Sequence, residues 1–378
     1  MAFILAALAA ALVVTLFVMR RSFADARLRQ GVLPASRLTA WTREANLKGW
    51  GRAGGLGVAA GLLFSLALRL FDDAAIAGTS LWLLLAAAPV FVAGLADDFT
   101  QRVRPSLRLV AAFVSALLAG LFLDTWVNRI DVPAIDVAFA VPAVAIVFSC
   151  MMVAGLVNAF NIIDGFNGLA GGVASLILVG IAYVAFKVGD VVVLTASLTA
   201  IGAIAGFMLF NFPRGLIYLG DGGAYLLGFW IGELLIMLVA RNPQVSAWFP
   251  ALLCSYPVCE MLFSIYRRAF VRRSHPGAPD IAHLHHLIYK RLVRWLVGPG
   301  GTHVRHEHGN ALTSPYLWIL TSIGVGPAVV FWQHTLVLQI GCIVFAAAYV
   351  YAYVRIVRFR SPRWMSMRRN PPRPTDKN

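Results

Sequence analysis

Apolar residues run along this chain in long uniform blocks, without the two-residue alternation of half-buried strands. Eleven blocks stand out, at 2–19, 54–71, 81–96, 107–123, 140–157, 169–186, 191–209, 222–239, 249–270, 314–333 and 336–354. As helices, blocks of about twenty residues match about 30 Å of hydrocarbon. The pattern predicts an all-α, polytopic integral membrane protein with about 11 transmembrane helices. Polar residues gather between the blocks, and the largest polar segments before the tail, 20–53 and 271–313, hold hairpins or interfacial helices at most. We therefore expect one transmembrane domain over 1–354, followed by a basic, Pro-rich tail over 355–378.

Composition strengthens this picture. The 378 residues are 60% hydrophobic and 13% charged, against about 25% charged in ordinary soluble proteins. The net charge of +15 would suggest nucleic acid were it not for its distribution. Of 32 Lys and Arg, only Arg69, Arg129, Lys187 and Arg241 fall outside one set of loops, 20–53, 97–106, 158–168, 210–221 and 271–313, with their helix ends and the tail. Basic residues accumulate in cytoplasmic loops, which predicts the N-terminus outside, the C-terminus cytoplasmic and no nucleic-acid partner. The first block lacks a preceding basic region and ends in Met19-Arg20-Arg21, as expected for an uncleaved anchor. Cys150, Cys254, Cys259 and Cys342 all lie within blocks without a C-x-x-C spacing, and read as small packing residues. No internal repeat is visible.

The 17 acidic residues carry the functional reading. Asp97 and Asp98 adjoin in Gly-Leu-Ala-Asp-Asp, Asp164 sits in Asn-Ala-Phe-Asn-Ile-Ile-Asp-Gly-Phe-Asn-Gly-Leu, and Asp221 in Tyr-Leu-Gly-Asp-Gly-Gly. Three loops thus bring carboxylates to the same membrane face, beside glycines that permit close approach of a ligand. Adjacent carboxylates repel, and a cation or shared proton relieves them. Oxygen ligands suit Mg²⁺, which takes one or two carboxylates together with substrate phosphates. Asn158, Asn161, Asp164 and Asn167 recur every three residues; a continuous helix would wind them round half its circumference, so Gly165 and Gly168 are expected to break it and fold the series around a ligand.

His283, His285 and His286 form His-Leu-His-His in the large cytoplasmic segment. With no Cys there and only Asp280 as a further ligand, phosphate or nucleotide contact is preferred to zinc. The looser His303, His306 and His308 read as surface, and Arg272 and Arg273 as topology signals. Glu233 and Glu260 are acids inside apolar blocks, where ionisable groups are costly and functional by default. Glu260 lies two turns before Arg267, so an ion-pair network and a catalytic part are both open.

Taken together, Gly-Leu-Ala-Asp-Asp, Asn-Ala-Phe-Asn-Ile-Ile-Asp-Gly-Phe-Asn-Gly-Leu, Tyr-Leu-Gly-Asp-Gly-Gly and His-Leu-His-His resemble the polyprenyl-phosphate N-acetylhexosamine-1-phosphate transferases, over about Gly51 to Arg294. That family includes the initiators of O-antigen and enterobacterial common antigen and the phospho-MurNAc-pentapeptide transferase. The resemblance implies transfer of N-acetylhexosamine 1-phosphate from a UDP-sugar to polyprenyl (undecaprenyl) phosphate, releasing UMP, at the cytoplasmic face of the bacterial inner membrane. It implies a Mg²⁺ cofactor, with Mn²⁺ as a substitute, held by Asp221. It further implies that Asp97, Asp98 and Asp164 serve catalysis, and that Asn158, Asn161, Asn167, His283, His285 and His286 bind substrate. Homodimerisation is a further expectation.

Two departures from the family pattern stand out. Asn167 occupies a position where the family often has a second Asp, and Gly49-Trp-Gly-Arg-Ala-Gly-Gly55 lacks the prolines of an early family motif, leaving Lys48 and Arg52 as phosphate contacts. The Asn form with His-Leu-His-His looks more like the O-antigen initiators than like the peptidoglycan enzyme, which stands as the alternative. A secondary transporter is the alternative of another class; it predicts acids near the bilayer midplane of broken helices, whereas only Glu233 and Glu260 are deep here.

Overall fold

The computed structural model describes residues 1–30, 49–271, 283–293 and 303–357, and these are all-helical, without strands. The helices are α1 (Ala2–Gln30), α2 (Gly55–Arg69), α3 (Ala74–Thr100), α4 (Pro105–Leu123), α5 (Pro142–Ile163), α6 (Leu169–Val188), α7 (Val191–Asn211), α8 (Gly220–Arg241), α9 (Phe249–Leu253), α10 (Ser255–Tyr266), α11 (Leu284–Ile288), α12 (His303–Val330) and α13 (Thr335–Val357). Among the described residues, nine helices are long and apolar enough to cross a membrane. The chain is an integral membrane protein. Lys48, Arg272, Arg273, Asp280 and the tail beyond 357 lie outside the described residues.

Two of the eleven expected blocks are not among these nine, each for a local reason. The block at 54–71 becomes only the 15-residue α2. The block at 249–270 divides at Cys254 into α9 and α10. Pro257 has no N–H to offer the Leu253 carbonyl, so the helical ladder is interrupted there. Elsewhere local chemistry sets the boundaries as the sequence suggests. Pro105 and Pro142 open α4 and α5 at positions that need no N–H donor. Asp190 caps α7 by accepting the Val193 N–H at 3.0 Å.

The bundle is built around α8, whose residues from Gly220 to Val239 are all buried. It packs on α3, α5 and α2, while outer helices such as α13 expose Leu336, Ile340 and Ile343. In hydrocarbon there is no hydrophobic force between helices, so close contact relies on small residues and polar pairing. The contact with α3 is tight: a Cβ on Gly94 would stand 2.6 Å from the Gly222 nitrogen. This places the C-terminal end of α3 directly against the N-terminal turn of α8. Two acidic motifs thereby meet.

Candidate active site

Helix α3 continues through Asp97 and Asp98 to Thr100, rather than ending before them. Successive residues on a helix point about 100° apart, so these neighbours face different surroundings. Asp98 is 1% exposed and accepts the backbone N–H of Asp221 at 2.8 Å and of Gly222 at 2.9 Å. It is a carboxylate set against the positive end of another helix. Gly220, at φ +77°, closes this contact, since a Cβ there would lie 1.8 Å from the Arg52 carbonyl oxygen. Asp97 faces the other way, accepting from Arg108 at 3.0 Å and from the Val103 N–H at 3.1 Å.

Asp221 lies in the first turn of α8 and is the point where four segments meet. Its Oδ1 accepts from Arg52 at 2.7 Å and from Asn161 at 3.1 Å, and its Oδ2 from Arg108 at 2.8 Å. One nitrogen of Arg108 thus bridges Asp97 and Asp221. Arg52 also approaches Asp98, at 3.3 Å. Asp164 follows the last residue of α5 and shares the field of Arg52, Asp221 and Asp98. Burial, reinforced by Asp221 and Asp98, pushes its carboxyl up to about 7 against the opposing pull of Arg52 and the Gly220 N–H.

Four carboxylates therefore face two guanidiniums, and negative charge is in excess. Among the described residues no group of three or more His, Cys, Asp or Glu side chains forms a metal cage. Mg²⁺ does not require one, because it uses one or two carboxylates and completes its shell with water and substrate phosphate. Asp221 and Asp97, already drawn together around one cationic nitrogen of Arg108, are a donor set of that kind.

The asparagine series divides. Asn161 joins the cluster, and Asn158 is exposed one turn earlier on α5. Asn167 does not join it. It is buried, with its N–H donating to Asn310 at 3.1 Å, its side-chain amide to the Pro213 carbonyl at 3.1 Å, and its carbonyl accepting from Ser314 at 2.6 Å. It fastens the 164–168 loop to the turn at 213 and to α12. The glycine break expected at 165–168 is present, with Gly168 at φ +76°, but it turns the last asparagine away from the carboxylates.

The histidine motif docks on this same loop. His285 is 1% exposed, and a Cβ on Gly165 would lie 3.0 Å from its Nε2. The rings of His285 and His286 both contact Phe166, at 5.5 Å between centroids. Burial, with the neighbouring His286 and His283, holds the His285 imidazole well below its ordinary value, hence neutral. Glu260 pairs with His283 at 3.1 Å, whereas Arg267 donates to the Tyr353 hydroxyl. Glu233 is buried twelve residues along α8 from Asp221, about 18 Å at 1.5 Å per residue, and is outside the cluster.

Arg108 is the site residue that sequence reasoning misses, because in the chain it reads only as topology charge. A signal is present all the same. It stands in the first turns of a helix opened by Pro105, where the macrodipole disfavours a cation, so its position calls for nearby carboxylates.

Residues 80–239 match the family model described as glycosyl transferase family 4. A Bacillus subtilis protein described as a probable undecaprenyl-phosphate N-acetylglucosaminyl 1-phosphate transferase is 30% identical over 200 residues, covering 52% of this chain and 54% of the relative. An undecaprenyl-phosphate alpha-N-acetylglucosaminyl 1-phosphate transferase of Thermotoga maritima is 29% identical over 209 residues, 55% of this chain and 61% of the relative. A decaprenyl-phosphate N-acetylglucosaminephosphotransferase of Mycolicibacterium smegmatis is 26% identical over 309 residues, 73% of this chain and 71% of the relative. The match thus spans little more than half the length of the first two relatives. On these findings the chain is similar, through residues 80–239, to glycosyl transferase family 4.

Proposed function

We propose that this protein transfers N-acetylhexosamine 1-phosphate from a UDP-sugar to a polyprenyl phosphate at the cytoplasmic face of a bacterial inner membrane, releasing UMP. The reaction begins a lipid-linked surface glycan such as O-antigen. The observation that carries this reading is the convergence of Asp97, Asp98, Asp164 and Asp221 with Arg52 and Arg108 at one end of a membrane bundle. A lipid phosphate and a water-soluble donor can meet only at such an end. The names of the relatives support polyprenyl phosphate as acceptor and N-acetylglucosamine 1-phosphate as the group transferred.

An oxygen of the lipid phosphate attacks the sugar-bearing phosphorus of the donor, and the bond from that phosphorus to the UMP oxygen breaks. Little covalent chemistry falls to the protein; positioning and charge stabilisation supply most of the catalysis. Arg52 and Arg108 present cationic donors to phosphate oxygens. Asp97, the most open member of the adjacent pair, accepts the proton of the lipid phosphate if it arrives protonated. Asn161 and the histidine segment line the donor side. A Mg²⁺ held by Asp221 would neutralise diphosphate charge at the site.

Purified protein should release UMP from a UDP-N-acetylhexosamine only when polyprenyl phosphate and a divalent cation are both present. Asp221→Asn should fold and lose nearly all turnover. Full turnover in EDTA would remove the metal assignment, and absence of UMP release with every UDP-sugar would remove the function.

A further inference from the structure

One buried acid, Glu260, lies apart from the aspartate cluster yet is joined to it through the histidine segment. It is 1% exposed on α10. Its Oε1 accepts the backbone N–H of Leu284 at 2.9 Å and meets His283 Nδ1 at 3.1 Å, while its Oε2 accepts the Tyr349 hydroxyl of α13 at 2.9 Å. Two oxygens thus receive three contacts, the demand that an ionised, acceptor-only carboxylate meets. With a carboxylate opposite, the hydrogen bond places a proton on Nδ1 of His283, which leaves Nε2 as the ring's second hydrogen-bonding nitrogen.

The next contacts lead inward. The His283 ring stacks on His285 with 7° between planes and 5.3 Å between centroids. His285 lies against Gly165, next to Asp164. His286, 6.2 Å from His283 between centroids, completes the surroundings. Among the described residues, the charged and titratable groups facing His283 are Glu260 from α10 and His285 and His286 from its own segment, with Tyr349 of α13 behind the carboxylate. Docking alone would not require a charge, because a glutamine of the same shape satisfies the Leu284 N–H and the Tyr349 hydroxyl. A buried charge carries a desolvation cost that an amide avoids. An imidazole whose far nitrogen must hold a proton does call for a charged partner.

We propose that Glu260 is a positioning residue for the transfer reaction: it holds the Nδ1 proton of His283 and balances the imidazolium formed when Nε2 carries the proton that a donor phosphate oxygen accepts as a hydrogen bond. Tyr349 fixes the carboxylate. This inference rests on the transfer reading above, but part of its test does not.

The test compares Glu260→Gln, His283→Gln and the double variant. Glu260→Gln should retain the wild-type melting temperature and a KM for the UDP-sugar within about two-fold. Its kcat should fall about 10- to 100-fold, the scale of losing an orienting or proton-holding partner. The double variant should be no slower than His283→Gln, because a residue that acts through another is not additive with it. Wild-type kcat in Glu260→Gln, or losses that multiply in the double variant, would overturn the proposal. Independently of turnover, ¹⁵N-histidine NMR should show one Nδ1-protonated ring, assigned by its loss in His283→Gln and altered in Glu260→Gln. A wild-type spectrum without that signal overturns the positioning role even in an active enzyme. Absence of UMP release from every UDP-sugar removes the transfer reading while leaving the NMR result to decide the pairing.

Discussion

Asp97 and Asp98 are adjacent and chemically identical, yet the structure assigns them opposite sensitivities. Replacing Asp98 with Ala removes the acceptor of two buried backbone N–H groups, those of Asp221 and Gly222. Each unsatisfied donor costs about 1–3 kcal/mol, and Arg52 loses one of its two carboxylate partners. The sum is about 2–6 kcal/mol, concentrated where α8 begins. Water cannot replace the acceptor, since the side chain is 1% exposed. Asp97→Ala removes the Val103 N–H contact and one of the two carboxylate contacts of Arg108 at a partly exposed position, worth about 1 kcal/mol or less. Thermal unfolding in detergent, followed by tryptophan fluorescence, should show Asp98→Ala melting roughly 5 °C or more below wild type. Asp97→Ala should melt close to wild type and still lose turnover. Asp98→Asn keeps one acceptor oxygen and turns an N–H₂ toward the second donor, so it should fall between them. Equal melting temperatures for Asp97→Ala and Asp98→Ala would refute the division into an anchoring and a site-facing carboxylate.

Arg108→Ala should lower kcat by about 10²-fold or more, the scale on which a single charge-stabilising donor acts, and Arg108→Lys should restore little, because one point charge does not reproduce the guanidinium fork; steady-state UMP release checks both. The His285 imidazole is held well below its ordinary 6.5, so the unfolded chain binds more protons below that pH; its stabilising contribution is present above about pH 6.5 and lost on acidification. His285→Asn should therefore show a smaller fall in melting temperature between pH 7.5 and 5.5 than wild type does. Asp164 has the opposite sign. Its carboxyl, raised from 3.8 to about 7, binds protons in the folded state that the unfolded chain has released, so stability falls as pH rises across that interval. Added Mg²⁺ should accordingly raise the melting temperature more at pH 8 than at pH 5.5, and equal shifts would argue against a cation at this cluster. Finally, the protein should turn over a UDP-N-acetylhexosamine and ignore UDP-MurNAc-pentapeptide in parallel UMP-release assays; comparable rates would favour the peptidoglycan reaction.

Much of this protein is readable in the linear order of its residues. Long apolar blocks determine a helical membrane bundle because backbone groups in hydrocarbon must bond within their own segment. The acidic motifs are legible as a site because carboxylates gathered beside glycines at the ends of apolar blocks repel one another until a cation or a ligand offsets their charge. Periodicity and composition are blind to three further matters. Helix continuity decides how Asp97 and Asp98 divide, since only the extension of α3 to Thr100 turns one inward to α8 and the other outward. Long-range contacts decide the places of Asn167 and Glu260, whose partners Asn310, Ser314, His283 and Tyr349 lie 23 to 147 residues away. Arg108 illustrates the third: its charge is indistinguishable in sequence from the topology-setting arginines around it. Only the crossing of α3, α4 and α8 at one point turns it into the cation that bridges Asp97 and Asp221, because in a packed bundle charge is assigned by neighbours in space and not by neighbours in the chain.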